Sequence, residues 1–231
     1  VEILYDEVTG LSRDGEGFAV QCTSGEQRCK AVVLATGAAH RHLGLDGEEE
    51  LVGCGVSYCA VCDGAFYTGR DVAVVGGGDT ALQDALFLAN SCRHVTLIHR
   101  RDQFRGEDRL VRQVENRENI TILYSHTVEA LHAANGELTG ITVKDAKTGE
   151  EKELAVEGLF AAVGQQPQSA PFAALVNTAG GYYQAGEDTL TDCGGVFAAG
   201  DGRVKSVRQL TTAVGDGAVA GLAACRYVDA L

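Results

Sequence analysis

The sequence predicts an α/β protein built on a parallel sheet, and three observations carry that expectation. From Asp71 to Tyr124 the apolar pattern runs strand, helix, strand, helix, strand, the order of a βαβαβ unit. The first strand meets the first helix at a glycine run, Gly76-Gly77-Gly78. Thirty Gly against two Pro suit a fold with many tight strand-to-helix turns. A chain of 231 residues, 45% of them hydrophobic, holds one large domain or two small ones around a sizeable core.

Taken in order, Val1 to Val8, Gly17 to Cys22 and Arg28 to Ala35 read as short strands, with hairpin turns at Asp14-Gly15 and Ser24-Gly25. The run Ala31 to Ala35 is apolar on both faces, as in a buried strand, and stops at Thr36-Gly37. His40 to Glu50 is polar and acidic without apolar period and reads as a linker. The βαβαβ unit then comprises Asp71 to Val75, Thr80 to Asn90, His94 to His99, Gly106 to Asn116 and Ile120 to Tyr124. Ala81, Leu82, Ala85, Leu86, Leu88 and Ala89 give its first helix a broad apolar face.

A hairpin follows, Leu138 to Asp145 and Lys152 to Val156, turning at Lys147-Thr148-Gly149. Leu159 to Val163 is a further apolar strand closed by Gly164. The last third is rich in turns, with a short strand Val196 to Ala199, then Gly200-Asp201-Gly202 and a helix from Thr211 to Tyr227. There is no repeat of fixed period. The chain has no Met and opens on a strand-like Val1-Glu2-Ile3-Leu4, from which we expect it to start inside a longer protein.

Charge and composition exclude several classes of function. A net charge of −13 argues against a nucleic-acid surface, whose footprint is basic. No apolar run approaches the ~20 residues of a membrane span, and no secretory signal opens the chain. A cytoplasmic, reducing setting is the expectation, in which a Cys-x-x-Cys is more often catalytic than structural.

Cys59-Ala60-Val61-Cys62, followed by Asp63-Gly64, is such a motif, and it stands ten residues before the strand that enters the glycine turn. Two thiols at this spacing close a disulfide or open as a thiolate that attacks another one. The spacing also serves zinc, but a structural zinc site wants a second Cys or His pair, which the other six cysteines do not supply. An inert buried pair is the third reading. Asp63 is a candidate proton donor, and Asp-Gly is also an ordinary turn.

Gly76-Gly77-Gly78-Asp79-Thr80-Ala81 fits G-x-G-x-x-A. In that pattern one glycine makes the turn, the next admits a pyrophosphate, and a small last residue lets helix meet strand. The alternative is a glycine turn without a ligand. About twenty residues on, where an NAD-binding chain places Asp or Glu, this one has His99-Arg100-Arg101 with Arg105 beyond. Guanidinium groups match a phosphate in bidentate fashion, which points to NADPH; a solvated basic turn is the rival explanation.

With Cys59 to Gly64, Gly76 to Ala81 and His99-Arg100-Arg101-Asp102-Gln103-Phe104-Arg105, the chain resembles the low-molecular-weight bacterial thioredoxin reductases. Ala35-Thr36-Gly37 and Val196 to Asp201 followed by Arg208-Gln209 are similar to that family's flavin-side motifs, in the same order. Gly194 stands where a Pro is common and Gln168 where Asn is usual. The resemblance implies two Rossmann-like three-layer domains. An FAD domain would comprise Val1 to Arg41 and Ala161 to Leu231, incomplete at its N-terminus because the family's own FAD-side G-x-G-x-x-G would precede Val1. An NADPH domain, His42 to Phe160, would be inserted in it and swivel on segments near His40 to Leu45 and Phe160 to Gly164.

By the same resemblance, NADPH electrons pass through FAD to the Cys59–Cys62 pair and on to thioredoxin. Cys62 would face the flavin, Cys59 would attack the thioredoxin disulfide and Asp63 would serve as acid. Asp201 would hydrogen-bond the FAD sugar or phosphate region, while Arg208, Gln209 and Leu210 would lie along the flavin beside Thr36, Gly37 and Gly200. Gly76, Gly77, Gly78, Asp79, Thr80, His99, Arg100, Arg101 and Arg105 would hold NADPH. A cytoplasmic homodimer is implied. A related dithiol flavoprotein serving a peroxiredoxin, or an inactive NADPH-binding remnant, are the other readings.

Overall fold

A computed structural model describes all residues, Val1–Leu231. The strands begin with β1 (Val8–Asp14), β2 (Gly17–Cys22), β3 (Gly25–Cys29), β4 (Val32–Leu34), β5 (Ala38–His40) and β6 (Val56–Ser57), followed by a one-turn helix α1 (Ala60–Asp63). Next come β7 (Asp71–Gly76), α2 (Asp79–Leu88), β8 (His94–His99), α3 (Asp108–Glu115), β9 (Ile120–Tyr124), β10 (His126–Ala134), β11 (Glu137–Asp145), β12 (Glu151–Leu154) and β13 (Gly158–Ala162). The chain ends with β14 (Gln165–Pro167), β15 (Thr178–Ala179), β16 (Tyr182–Tyr183), β17 (Val196–Ala198) and α4 (Leu210–Asp229). These elements gather into two compact units, His40–Gly164 and the flanking Val1–Ala39 with Gln165–Leu231. No helix is long and apolar enough to cross a membrane.

The inserted unit has three layers. Its middle is a parallel sheet in the order β6-β13-β7-β8-β9. Because successive side chains of a strand point to opposite faces, Val72, Val74, Val95, Leu97 and Phe160 pack with Ala81, Leu82, Ala85, Leu88, Leu110 and Val114 of α2 and α3. Ala73, Ile98 and Leu159 face the other way, onto Leu138, Ile141 and Val143. That second cover is an antiparallel sheet, β10-β11-β12. Burial on both faces explains why the parallel strands are apolar throughout.

In the flanking unit β1, β2 and β3 form a meander, and β4 pairs in parallel with β17. Phe197 and Ala199 pack on Ala220 of α4, with Ala223, Ala224 and Tyr227 against them. Val196 and Ala198 turn to the opposite cluster, with Phe18, Leu34, Phe172 and Tyr183.

Three readings of the sequence need correction. Val1 to Val8 is not a strand: the ladder starts at Val8, and Ile3, Leu4 and Tyr5 are exposed. Asp6 ties this segment down instead, its carboxylate accepting the hydroxyls of Thr23 and Ser24. Arg28 to Ala35 is two strands rather than one, because the chain bends at Lys30 to leave the meander and join β17. His40 to Glu50 is an organised loop rather than a linker. Its centre is the buried Glu48, whose carboxylate accepts the N–H groups of Leu43 (2.9 Å), Gly44 (2.8 Å) and Leu45 (3.3 Å) and the Tyr58 hydroxyl (2.8 Å). Burial alone would raise this carboxyl, but these donors outweigh it and hold the pKa below the ordinary value.

Candidate active site

Cys59 and Cys62 are joined in a disulfide, with Cα atoms 5.3 Å apart. The local chain builds this from both sides. Cys59 is the N-cap of α1, its sulfur accepting the Cys62 N–H at 3.2 Å. Behind it Gly64 lies so close to α2 that a Cβ there would come 2.9 Å from the Leu88 methyl and 3.2 Å from the Phe87 ring, so any side chain would have to displace them. The residue ahead matters as much. Buried Ser57 accepts the Cys59 N–H at 3.1 Å and donates its hydroxyl to Asp63 Oδ2 at 2.6 Å. The dithiol turn and the candidate acid are thereby held in one network, in which Ser57 is a member that no motif singles out. Asp63 also faces the buried Tyr67 hydroxyl, whose pKa is raised first by burial and then by that carboxylate.

On the same unit, the mouth of the parallel sheet opens into a cavity of about 490 Å³. Gly76, Gly77, Gly78 and Thr80 line it together with His99, Arg100 and Arg105, as do Arg41, His42 and His126, which motif reasoning passed over. The glycines are explained by what they approach. A Cβ on Gly76 would lie 2.5 Å from the Ala162 carbonyl oxygen and 2.6 Å from Ala81 Cβ, so the small Ala81 is needed where helix meets strand. A Cβ on Gly77 would fall inside the His99 ring, whereas at Gly78 nothing stands within 4 Å. Gly78 caps α2 with no side-chain hydrogen bond, leaving the first N–H groups of the helix for a ligand.

The arginine loop is fastened to this turn. Arg105 N–H donates to the Gly77 carbonyl (2.8 Å), and Glu107 N–H donates to Asp79 Oδ1 (2.7 Å). Asp79 is thus a strap between turn and loop. His99 Nε2 lies 3.1 Å from the Gln103 carbonyl, which can only accept, so the ring carries its proton there. Burial lowers the His99 pKa, and the neighbouring Arg105, Arg101 and Arg100 charges push the same way, keeping it neutral. Arg101 does not line the cavity; its side chain is exposed.

The remaining residues assemble in the flanking unit. A Cβ on Gly202 would stand 3.3 Å from Gly37 N and O, so the Thr36-Gly37 and Gly200-Asp201 turns touch backbone to backbone. Thr36 Oγ1 and the Tyr183 hydroxyl are 3.1 Å apart. The Gly200 N–H donates to Asp216 (3.0 Å), which also binds Arg203 (2.7 and 2.8 Å) and Lys205 (2.8 Å) in a buried ion cluster. Arg208 donates to the Asp201 carbonyl and stacks over Tyr182 at 4.1 Å. Gln209 and Thr212 form a capping box at the start of α4, and Leu210 is exposed. One atom stands apart: Asp201 Oδ1 is buried with no hydrogen-bond partner. A buried carboxylate oxygen is an acceptor lacking its donor.

Residues 1–217 match the family described as pyridine nucleotide-disulphide oxidoreductase. The thioredoxin reductase of Bacillus subtilis is 39% identical over all 231 residues, which span 73% of that relative, and the Listeria innocua one is 41% identical, spanning 72%. The crystal structure of thioredoxin reductase from Streptococcus pyogenes superposes with a TM-score of 0.94 at 35% identity, over 100% of this chain and 76% of that one. The Giardia duodenalis enzyme gives 0.91 at 34% identity, over 99% and 76%. Identity at this level, sustained from end to end, means that the chain belongs to the pyridine nucleotide-disulphide oxidoreductases and, within them, to the thioredoxin reductases.

Proposed function

We propose that this oxidoreductase takes electrons from NADPH, carries them through FAD to the Cys59–Cys62 disulfide, and delivers them to the disulfide of thioredoxin. Family membership implies a flavin and a pyridine nucleotide. The choice of NADPH rests on the cavity lined by Gly76 to Gly78, Arg100 and Arg105, with no carboxylate among its lining residues. Gly78 admits the pyrophosphate, the N-terminus of α2 faces it, and the guanidinium groups take the 2'-phosphate. Asp79 and Thr80 begin that helix, His99 floors the cradle, and Arg101 flanks it.

FAD fits the flanking unit because Asp201 Oδ1 wants a hydroxyl donor, as the flavin side chain offers. Thr36, Gly37, Gly200, Arg208, Gln209 and Leu210 complete its site. When bound, FAD relays two electrons from the nicotinamide to the protein disulfide.

The chain's own part is thiol exchange. The reduced Cys59 thiolate attacks one sulfur of the thioredoxin disulfide, forming a mixed disulfide and releasing one thioredoxin thiolate. Cys62 then attacks Cys59, the Cys59–Cys62 bond reforms, and the second thioredoxin thiolate leaves. Asp63, held by Ser57, supplies a proton to a departing thiolate. The setting is the cytoplasm and the assembly a homodimer.

The observation that carries this reading is the disulfide and the nucleotide cradle on one unit. It is tested with the FAD-loaded Cys62→Ser protein. Thioredoxin reduction is expected to vanish while NADPH still bleaches the flavin; full turnover by the variant refutes the assignment.

A further inference from the structure

The corner between β9 and β10 brings a titratable ring to the nucleotide cavity. Ser125 sits there in the left-handed region (φ 56°), a conformation costly for a residue other than glycine. It is held by its N–H on the Arg101 carbonyl (2.9 Å) and by the Ala146 N–H on its own carbonyl (2.7 Å). This corner sets the next residue, His126, in the lining of the cavity with Arg100 and Arg105.

His126 Nδ1 lies 2.6 Å from the Tyr124 carbonyl oxygen. A carbonyl only accepts, so Nδ1 carries the proton, and Nε2 is left with no protein partner. In the neutral ring Nε2 is an acceptor and repels a phosphate oxygen. In the charged ring it becomes a donor.

We infer that His126 is a specificity-determining residue for the nucleotide: protonated, its Nε2–H adds a charge-assisted hydrogen bond to the 2'-phosphate, so preference for the phosphorylated dinucleotide strengthens as pH falls. The inference rests on the NADPH reading above and goes beyond its arginines, which do not change charge in the working range. Imidazole does change charge between pH 5 and 8.

Other ionisable groups surround this ring. Arg100 and Arg105 come from the loop after β8, Arg41 and His42 from the loop after β5, and His99 ends β8. Asp145 stands opposite His126 in the β10–β11 register, its carboxylate accepting the N–H groups of Lys147 and Thr148. His99 cannot play the same part, because its Nε2–H is committed to Gln103, and burial together with the neighbouring arginines lowers its pKa. His42 Nδ1 is taken by the Tyr58 hydroxyl, 3.0 Å away.

The test is the affinity of the FAD-loaded protein for NADP⁺ and NAD⁺ at pH 6 and pH 8, by titration calorimetry, in wild type and His126→Asn. The Asn side chain retains an N–H for the Tyr124 carbonyl but gains no charge. Protonation of the phosphate itself affects both proteins alike. The NADP⁺/NAD⁺ preference of wild type is expected to exceed that of the variant about tenfold at pH 6 and less than about twofold at pH 8. If both proteins prefer NADP⁺ and their preferences run parallel at the two pH values, His126 has no such role and the NADPH reading stands. If wild type binds both dinucleotides equally at both pH values, the NADPH reading falls and this inference with it.

Discussion

At the scale of single residues, Gly77 and Asp216 show two ways in which one atom decides the outcome. A methyl at Gly77 would occupy the volume of the His99 ring. Gly77→Ala is therefore expected to push His99 off the Gln103 carbonyl, distort the cradle and weaken NADP⁺ binding at least about tenfold, read by calorimetry, with the circular dichroism of the fold retained. Asp216 pairs with two cations that are themselves buried, Lys205 and Arg203, the latter shared with the exposed Glu187. Asp216→Asn takes from Lys205 its carboxylate and leaves Arg203 with the exposed Glu187 alone, and is expected to cost about 3–5 kcal/mol in urea unfolding.

The pH dependence of that loss has a definite sign. The Arg203 hydrogen bonds hold the Asp216 pKa well below the ordinary carboxylate value, against the opposing effect of burial and with help from Lys205 and the Gly200 N–H. A carboxyl lowered in the folded state adds stability that is complete above its unfolded pKa, near about 4, and is lost as pH falls below it. The stability gap between wild type and Asp216→Asn is expected to be flat from pH 5 to 8 and to close in acid. A gap that widened on acidification would contradict the ion cluster.

Residues of this kind divide sharply in how legible they were. Cys59, Cys62, Gly76 to Gly78 and Arg100 could be singled out because their chemistry needs fixed residue types at fixed short spacing. Ser57, Glu48 and Asp216 could not, since a Ser beside a Cys is ordinary, and the partners of Asp216 at 200, 203 and 205 are brought to it only by tertiary folding.

At the scale of elements, α2 carries a feature at odds with its role as the packed helix of the parallel sheet. Asp84 is half-buried with no hydrogen-bond partner, and desolvation raises its pKa to about 6. A carboxyl raised in the folded state weakens the fold as pH rises from its unfolded value of about 4 to about 6, and the whole cost persists above that. Asp84→Asn removes the charge at nearly constant volume. It is expected to raise stability at pH 7.5 by roughly 1–2 kcal/mol, with the gain fading toward pH 4, as measured by thermal unfolding across that range. No gain at neutral pH would mean the carboxylate is better solvated than its position suggests.

The parallel strands β7, β8, β9 and β13 and the helices α2, α3 and α4 were readable to within a few residues, because burial on both faces and apolar stripes leave strong patterns, whereas the two-residue β6 leaves none. β10 was missed. Its sequence, His126 to Ala134, carries Ala130, Ala133 and Ala134 with Glu129 and Leu131, residues that favour helix in isolation. Pairing with β11 and the packing of Val128 and Leu131 in the second core override that preference. A signal was present nonetheless: Asn135-Gly136, both at positive φ, is the two-residue turn that fixes the β10–β11 hairpin.

At the scale of the whole molecule, the dithiol and the nucleotide cradle fall in His40–Gly164, while the Thr36-Gly37 and Gly200-Asp201 turns fall in the flanking unit. The chain passes between the units at 39–40 and again at 164–165, so one segment is inserted within the other. The fold class was legible because it depends on element order. Of the second cover of the inserted unit, β11 and β12 were legible as a hairpin, but its place on the far face of the parallel sheet was not, because an antiparallel sheet and a pair of helices both satisfy the need to bury that face. The net charge of −13 coexists with a basic cradle, which makes binding of the anionic nucleotide sensitive to salt.

The central claim is that electrons from NADPH leave this protein through the sulfurs of Cys59 and Cys62. Its most direct measurement is a thiol count, in which the FAD-loaded protein is mixed with oxidised thioredoxin and a limiting amount of NADPH, and the free thiols of thioredoxin are titrated. Two new thioredoxin thiols per NADPH consumed are expected for wild type, and none for the chain carrying both Cys59→Ser and Cys62→Ser. Thioredoxin that stays oxidised while wild type consumes NADPH, or that is reduced equally well by the doubly substituted chain, would contradict the account.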